Sequence, residues 1–124
     1  MRTRVLTVLL LLGATAAPIA ADARSDAKKQ VEFGITVAQR GLWREAIYRW
    51  QRAAQIDPKY AEAYNDLAIA YEHEGDLEKA RVAYEKALEL EPNNALIKQN
   101  YELFKEINDR TTRKEQDDPG NQNP

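Results

Sequence analysis

Cysteine is absent from this chain, which excludes disulfide bonds, thiolate nucleophiles and cysteine-based metal sites together. Histidine and serine are nearly absent, since His73 and Ser25 are the only residues of their types. His73 lies between Glu72 and Glu74, and residues two apart on a helix point away from each other, so they form no acid–base pair. The sequence therefore predicts that the protein is not an enzyme and binds no metal and no cofactor.

An excess of charge of one sign is also lacking. The 18 Lys and Arg residues are nearly balanced by 20 Asp and Glu residues, which gives a formal net charge of −2. No basic stripe with interleaved aromatic residues occurs, so the sequence predicts no nucleic-acid binding. Charged residues make up 31% of the chain and glycine and proline are few, a composition typical of one mostly helical globular domain.

A long apolar run occurs only near the N-terminus. Two arginines precede an almost wholly apolar stretch at residues 5–17, and a small-residue A-x-A site follows at residues 21–23. This order of charge, apolar run and small residues is typical of a secretory signal peptide. We expect the signal peptide to cover residues 1–23, with cleavage between Ala23 and Arg24; cleavage after the first alanine of the A-x-A site is the second choice.

A retained membrane anchor is the less favoured alternative, because a spanning helix needs about 20 apolar residues and this run is shorter. Removal of residues 1–23 leaves a mature chain with no membrane span, located in the periplasm or secreted. An export signal on a chain without cysteine favours a bacterial envelope protein.

The rest of the chain is organised by a repeat. Five positions recur 34 residues further on, for example from 41 to 75: Gly41 and Gly75, Ala46 and Ala80, Trp50 and Tyr84, Ala53 and Ala87, Pro58 and Pro92. A period of this length is typical of a helix–turn–helix repeat. The sequence therefore predicts a scaffold of stacked helix pairs.

Within each period, apolar residues at helical spacing predict two helices. The first pair covers about residues 25–40, capped by Ser25 or Asp26, and residues 43–56; the second covers residues 61–74 and 77–90. Gly41 is expected to end its helix, since glycine tolerates the left-handed conformation of a C-terminal turn. Gly34 is expected where a second helix approaches closely.

A fifth helix is predicted for residues 95–110, with Asn94 as its N-cap. Its apolar residues suit a capping helix that covers the open face of the second repeat, as terminal units of a repeat array must. Residues 111–124 contain no apolar side chain, and we expect them to be a disordered tail.

These residues resemble the tetratricopeptide repeat. The repeat pattern is met in residues 61–94 by Tyr64, Leu67, Ala68, Tyr71, Gly75, Ala80, Tyr84, Ala87 and Pro92. Residues 27–60 match it with Phe33, Gly34, Gly41, Ala46, Trp50, Ala53 and Pro58, and depart from it at Gln30 and Val37, where aromatic residues are usual. The resemblance implies an all-α fold of antiparallel helix pairs over residues 24–110, a fragment of a right-handed α-solenoid with two repeats and a capping helix.

The resemblance also implies a concave groove lined by the first helix of each pair, where family members commonly bind an extended peptide or a partner helix. The positions carried over to this groove include Val31, Ile35, Gln39, Asn65, Ile69, Glu72 and His73, and the fifth helix contributes Gln99 and Leu103. The clamp with which some members hold an acidic chain end is not predicted, because only one of its five positions, Asn100, suits that task.

We therefore expect an exported module that binds a protein or peptide partner in its groove. Two alternatives stay open. Val31 and Ile35 could instead contact residues before Ala27 or a second copy of the chain. The whole domain could also be a structural or self-associating subunit of an envelope assembly, since two repeats are few for independent stability.

Overall fold

The structure is a computed structural model that describes the backbone of residues 17–117 and the side chains of residues 22–114. This part of the chain forms five helices and contains no strand. They are α1 (Ala17–Ala38), α2 (Trp43–Ile56), α3 (Ala61–Glu74), α4 (Leu77–Leu90) and α5 (Ala95–Asp117). The predicted all-α fold of helix pairs is confirmed, and the bounds of α2, α3 and α4 are those that the sequence predicts. Between residues 17 and 117, no helix is long and apolar enough to cross a membrane.

The two outer helices are longer than predicted. α1 begins at Ala17 rather than at Ser25 or Asp26, because alanine-rich residues favour a helix and a proline is tolerated in its first turn. α5 continues to Asp117 instead of ending at Arg110, so the prediction of disorder is wrong for residues 111–117. Residues 1–16, which hold most of the expected signal peptide, and residues 118–124 lie outside the described part.

Both helix pairs use the same turn. Gly41 and Gly75 have φ angles of +78° and +77°, the left-handed region that glycine enters at no steric cost. After α1, the amides of Gly41 and Leu42 donate to the carbonyls of Ala38 and Val37, at 2.8 and 3.0 Å. The amides of residues 75 and 76 repeat this arrangement after α3. This double hydrogen bond satisfies the last carbonyls of the helix, which is why α1 ends at Ala38.

The helices of the first pair pack closely where a glycine of α1 contacts a tryptophan of α2. Gly34 lies so close to the indole of Trp50 that a Cβ atom at position 34 would be 2.8 Å from Cδ1 and Cε2 of that ring. Trp50 is 3% exposed, and its Nε1 donates to the carbonyl of Val31 at 3.1 Å. The predicted close approach at Gly34 is confirmed.

In the second pair the equivalent residues are Ala68 and Tyr84. Alanine is slightly larger than glycine, and the tyrosine ring that it faces is smaller than the indole of tryptophan. Tyr84 is 1% exposed and its hydroxyl donates to Oε2 of Glu72 at 2.5 Å. α5 covers this ring: Tyr101 and Phe104 lie with their ring centres 5.6 and 5.4 Å from that of Tyr84. α5 is therefore the capping helix that the sequence predicts, and Asn94 Oδ1 caps it by accepting from the amide of Ile97 at 3.2 Å.

The Gly34–Trp50 contact gives a direct prediction. Gly34→Ala should lower the free energy of unfolding by about 1–3 kcal/mol, because the buried indole cannot move away without strain. Adding Trp50→Tyr should restore part of this loss, since Ala68 and Tyr84 coexist in the second pair. Urea unfolding of the two single variants and the double variant measures the coupling.

Glu32→Ala, an exposed change on the same helix, is the matched control and should change stability by less than about 0.5 kcal/mol. If Gly34→Ala were as stable as this control, the close approach of α1 and α2 would be wrong.

Candidate functional site

A cavity of about 290 Å³ lies where α1, α2 and α3 meet. It is mainly apolar, and its lining residues are Ile35, Ala38, Gln39, Trp43, Trp50, Asp66 and Ile69. We call this cavity the groove pocket. Ile35 and Ile69 are 37% and 36% exposed, which is high for aliphatic side chains whose neighbours form the core. Such an open apolar surface is suited to receive a side chain from another molecule.

Four of the seven predicted groove residues lie in or beside this pocket. Ile35, Gln39 and Ile69 line it directly. His73 is exposed and stacks on Trp43, with ring centres 4.1 Å apart and an angle of 26° between the planes. Because Trp43 lines the pocket, His73 lies at its edge.

The other three predicted groove residues serve the fold. Val31 is 1% exposed and belongs to the same core cluster as Trp50, so its side chain is not open to a partner as its assignment to the groove would require. Asn65 is 4% exposed, and its Oδ1 accepts a hydrogen bond from Asn100 Nδ2 at 3.1 Å, which joins α3 to α5. Glu72 is partly buried and is held by the hydroxyl of Tyr84.

Asp66 lines the pocket as well, although the sequence analysis weighed it only as one of the five clamp positions and did not assign it to the groove. It lies three residues before Ile69 on α3, a spacing that places both side chains on neighbouring parts of one helix face. Its Oδ1 accepts from Asn65 Nδ2 at 3.3 Å, whereas its buried Oδ2 has no hydrogen-bond partner among the described residues. The signal that could have revealed it is this spacing from Ile69, a residue that the sequence analysis did assign to the groove.

Burial raises the pKa of Asp66 from its ordinary value of 3.8 to about 7, and the negative charge of Glu62 adds to this effect. The hydrogen bond from Asn65 acts in the opposite direction but is the smallest of the three influences. At neutral pH the groove pocket therefore contains a carboxyl group that is close to its titration midpoint.

A second cavity, of about 470 Å³, is formed by α3 and α4 and shares no residue with the groove pocket. Its walls include Tyr64, Leu67 and Tyr71, which the repeat pattern itself uses to pack one helix on another. Ile35 and Ile69 are not required by that pattern, yet they are apolar and exposed. For this reason we favour the groove pocket as the functional site.

The exposed aliphatic residues of the groove recur with the repeat. Ile35 and Ile69 occupy equivalent positions on α1 and α3, and the same position on α5 holds Leu103, which is 55% exposed. Equivalent positions of stacked repeats follow one another along one surface. The three residues therefore define an apolar stripe along the first helix of each unit, with Asp66 beside its middle member.

The raised pKa of Asp66 predicts a pH-dependent effect of Asp66→Asn. Between about pH 4 and 7 the folded protein binds a proton at Asp66 that the unfolded chain does not, so the contribution of this group to stability falls as pH rises through this window. Asparagine does not ionise, so the Asp66→Asn variant does not undergo this loss of stability. The variant should be more stable than the parent by about 1–3 kcal/mol at pH 8 and much less so at pH 5.

Urea unfolding at the two pH values measures this difference, with the exposed residue change Asp109→Asn as the control. A stability difference for Asp66→Asn that is the same at pH 5 and pH 8 would show that the carboxyl group titrates normally.

Two family models match this chain. The model described as Tetratricopeptide repeat matches residues 61–94, and the model described as TPR repeat matches residues 37–75. The first match coincides with the second helix pair, and the second match covers the groove pocket from Ala38 to Ile69. The all-helical fold, the left-handed glycine turns and these two matches all indicate the same kind of helical repeat.

Three curated proteins illustrate the similarity. The type IV pilus assembly protein PilF of Pseudomonas aeruginosa is 32% identical over 74 residues, which are 60% of this chain and 29% of PilF. The small glutamine-rich tetratricopeptide repeat-containing protein 2 of Mycosarcoma maydis is 35% identical over 69 residues, 56% of this chain and 20% of that protein. The uncharacterized protein ycf37 of Pyropia yezoensis is 47% identical over 45 residues, 36% and 25% of the two chains. This chain thus spans less than a third of the length of each.

Proposed function

Because the repeats of this chain belong to the tetratricopeptide repeat family, whose domains generally mediate protein–protein interaction, we propose that the protein binds a peptide segment of a partner protein in its groove pocket. The observation that carries this proposal is the exposure of Ile35 and Ile69 in a cavity of about 290 Å³. Burying an aliphatic side chain of a partner against both residues gives a favourable hydrophobic contribution. Leu103 extends the same apolar stripe and favours an extended or helical segment over a small molecule.

The protein acts by binding and not by catalysis under this proposal. The repeat family is a non-catalytic interaction module. The single histidine of the chain stacks on Trp43 at the edge of the pocket, where its ring adds a flat surface for contact. Aromatic residues at such an edge are typical of interaction surfaces, because they bury a large area with few rotatable bonds.

Affinity capture from the producing cell tests the groove. We expect the parent protein to capture a partner that the double variant Ile35→Glu/Ile69→Glu loses, because two carboxylates would have to be buried against the apolar segment of the partner. Both positions are exposed, so the variant should keep the helical circular dichroism and cooperative unfolding of the parent.

The matched control is Val82→Glu, which places a glutamate on α4 at a residue that is 55% exposed, lies outside the groove pocket and lines the second cavity. This control should capture the same partner as the parent. If the folded double variant still captured that partner while Val82→Glu lost it, the interaction surface would lie around the second cavity, and the groove proposal would be wrong.

A second candidate function is that of a self-associating subunit of a larger assembly. It is favoured by exposed apolar residues on the terminal helix α5, where Leu96, Leu103 and Ile107 are 62%, 55% and 50% exposed. The similarity to a type IV pilus assembly protein agrees with a role in an assembly. Sedimentation equilibrium distinguishes the two functions: a mass that stays monomeric as the concentration rises argues against self-association.

We also propose that the protein is exported, which rests on the signal-peptide pattern of residues 1–23. The expected boundary lies within α1 and leaves intact a contact that follows it directly. Arg24 Nε donates to Asp57 Oδ2 at 2.5 Å, and its guanidinium lies 4.7 Å from the centre of the Tyr60 ring. Burial opposes ionisation of Asp57, but the hydrogen bonds from Arg24 and Lys59 outweigh it and hold its pKa below the ordinary value.

N-terminal sequencing of the protein from the cell envelope fraction tests the export proposal. We expect the mature chain to begin at Arg24, with a chain that begins at Asp22 as the product of the second cleavage site. An intact N-terminus on protein that remains in the membrane fraction would contradict cleavage and favour a retained anchor.

A further inference from the structure

The groove pocket combines an apolar wall with a carboxyl group of which the fold satisfies only one oxygen. Ile35, Ile69 and Trp43 form the wall. Asp66 lines the same cavity, and its Oδ2 is buried without a hydrogen-bond partner in the described part of the chain. Gln30 Oε1 is also buried without a partner, but it lies outside the groove pocket, whereas the buried side chains of Asn65 and Trp50 bond to Asn100 and Val31. An unsatisfied buried carboxyl group weakens the folded protein, so its presence calls for an explanation outside the fold.

The charge near this carboxyl group is negative. Glu62 lies one helical turn before Asp66 on α3, and its charge opposes the ionisation of Asp66. A ligand that carries positive charge would be attracted to this helix face and would favour the ionised form of Asp66, whereas an acidic ligand would be repelled.

A metal ion does not fit this site. Among the described residues, no group of three or more histidine, aspartate or glutamate side chains is arranged to hold one. The wall of the pocket is apolar, and a cation that enters it must therefore bring its own apolar stem. Lysine and arginine side chains have this form, with a charged head on an aliphatic chain.

We propose that the groove pocket recognises a basic–apolar segment of the partner, in which an aliphatic side chain packs against Ile35 and Ile69 and the carboxyl group of Asp66 turns toward a neighbouring lysine or arginine and pairs with it. This inference rests on the proposed function and adds the chemistry of the partner to it. Two opposite charges that pair in apolar surroundings attract each other more strongly than they do in water, so this one pair contributes to affinity and discriminates against neutral and acidic segments.

Three fluorescein-labelled peptides test the proposal by fluorescence anisotropy with the protein as purified from its producing cells. The first peptide consists of short Gly-Leu-Lys repeats, and the other two carry Gln or Glu in place of Lys. We expect the Lys peptide to bind at least about 10-fold more tightly than the Gln peptide, and the Glu peptide to bind most weakly.

Asp66→Asn is the decisive variant because it removes the charge and keeps the shape of the side chain. It should bind the Lys peptide about 10-fold more weakly than the parent does and leave the affinity for the Gln peptide unchanged. Asp109→Asn, which removes an exposed charge on α5, should behave as the parent and serves as the matched control. Urea unfolding of both variants shows that they are folded.

Equal affinity of the parent for the three peptides, or an unchanged preference for the Lys peptide in Asp66→Asn, would overturn the inference. Failure of all three peptides to bind would also overturn the inference. The proposed function would still be tested separately, by capture of the partner. If Ile69→Glu left the binding of every peptide unchanged, the groove itself would be the wrong site.

Discussion

The close contact between Gly34 and Trp50 is the constraint on which the first helix pair and the candidate site both depend. The absence of a side chain at position 34 allows the indole to lie against α1 and to bond the carbonyl of Val31. This contact accompanies the burial of Val31 in the core, while Ile35, one turn further along α1, stays partly exposed. Trp50 also lines the groove pocket, so one side chain stabilises the helix pair and forms part of the proposed binding surface.

At Asp66, the residue type that would best stabilise the fold differs from the one that the proposed function requires. A core built only for stability would place an apolar or a fully hydrogen-bonded residue at this position, because a buried carboxyl group without a partner is costly. Local departures from the rules of stable folding are expected at functional sites. The departure at Asp66 adjoins the exposed side chain of Ile69 in the groove pocket, which is consistent with a group kept for a ligand and not for the fold.

The sequence predicts the helix pairs well because each repeat contains residues that mark the ends of its helices. Gly41 and Gly75 can adopt left-handed turns, and Pro58 and Pro92 follow the second helix of each pair, so the inner helices begin and end where predicted. The start of α1 and the end of α5 were predicted wrongly, since no such residue marks them. Val31 and Ile35 are both apolar and share a helix face, and only the position of Trp50 decides which is buried. Asp66 was weighed only as a clamp position, where an acidic side chain does not suit an acidic chain end, and its burial beside Ile69 could not be read from the sequence.

Photo-crosslinking in the producing cell tests most directly the central claim that the groove pocket is the interaction surface. A photoreactive amino acid at position 69 lies in the pocket, and the same residue at position 82 lies on α4 outside it. Both positions are exposed, so the fold should accept the probe at each. We expect a crosslinked partner from position 69 and none from position 82. A partner crosslinked from position 82 alone would contradict the assignment of the groove.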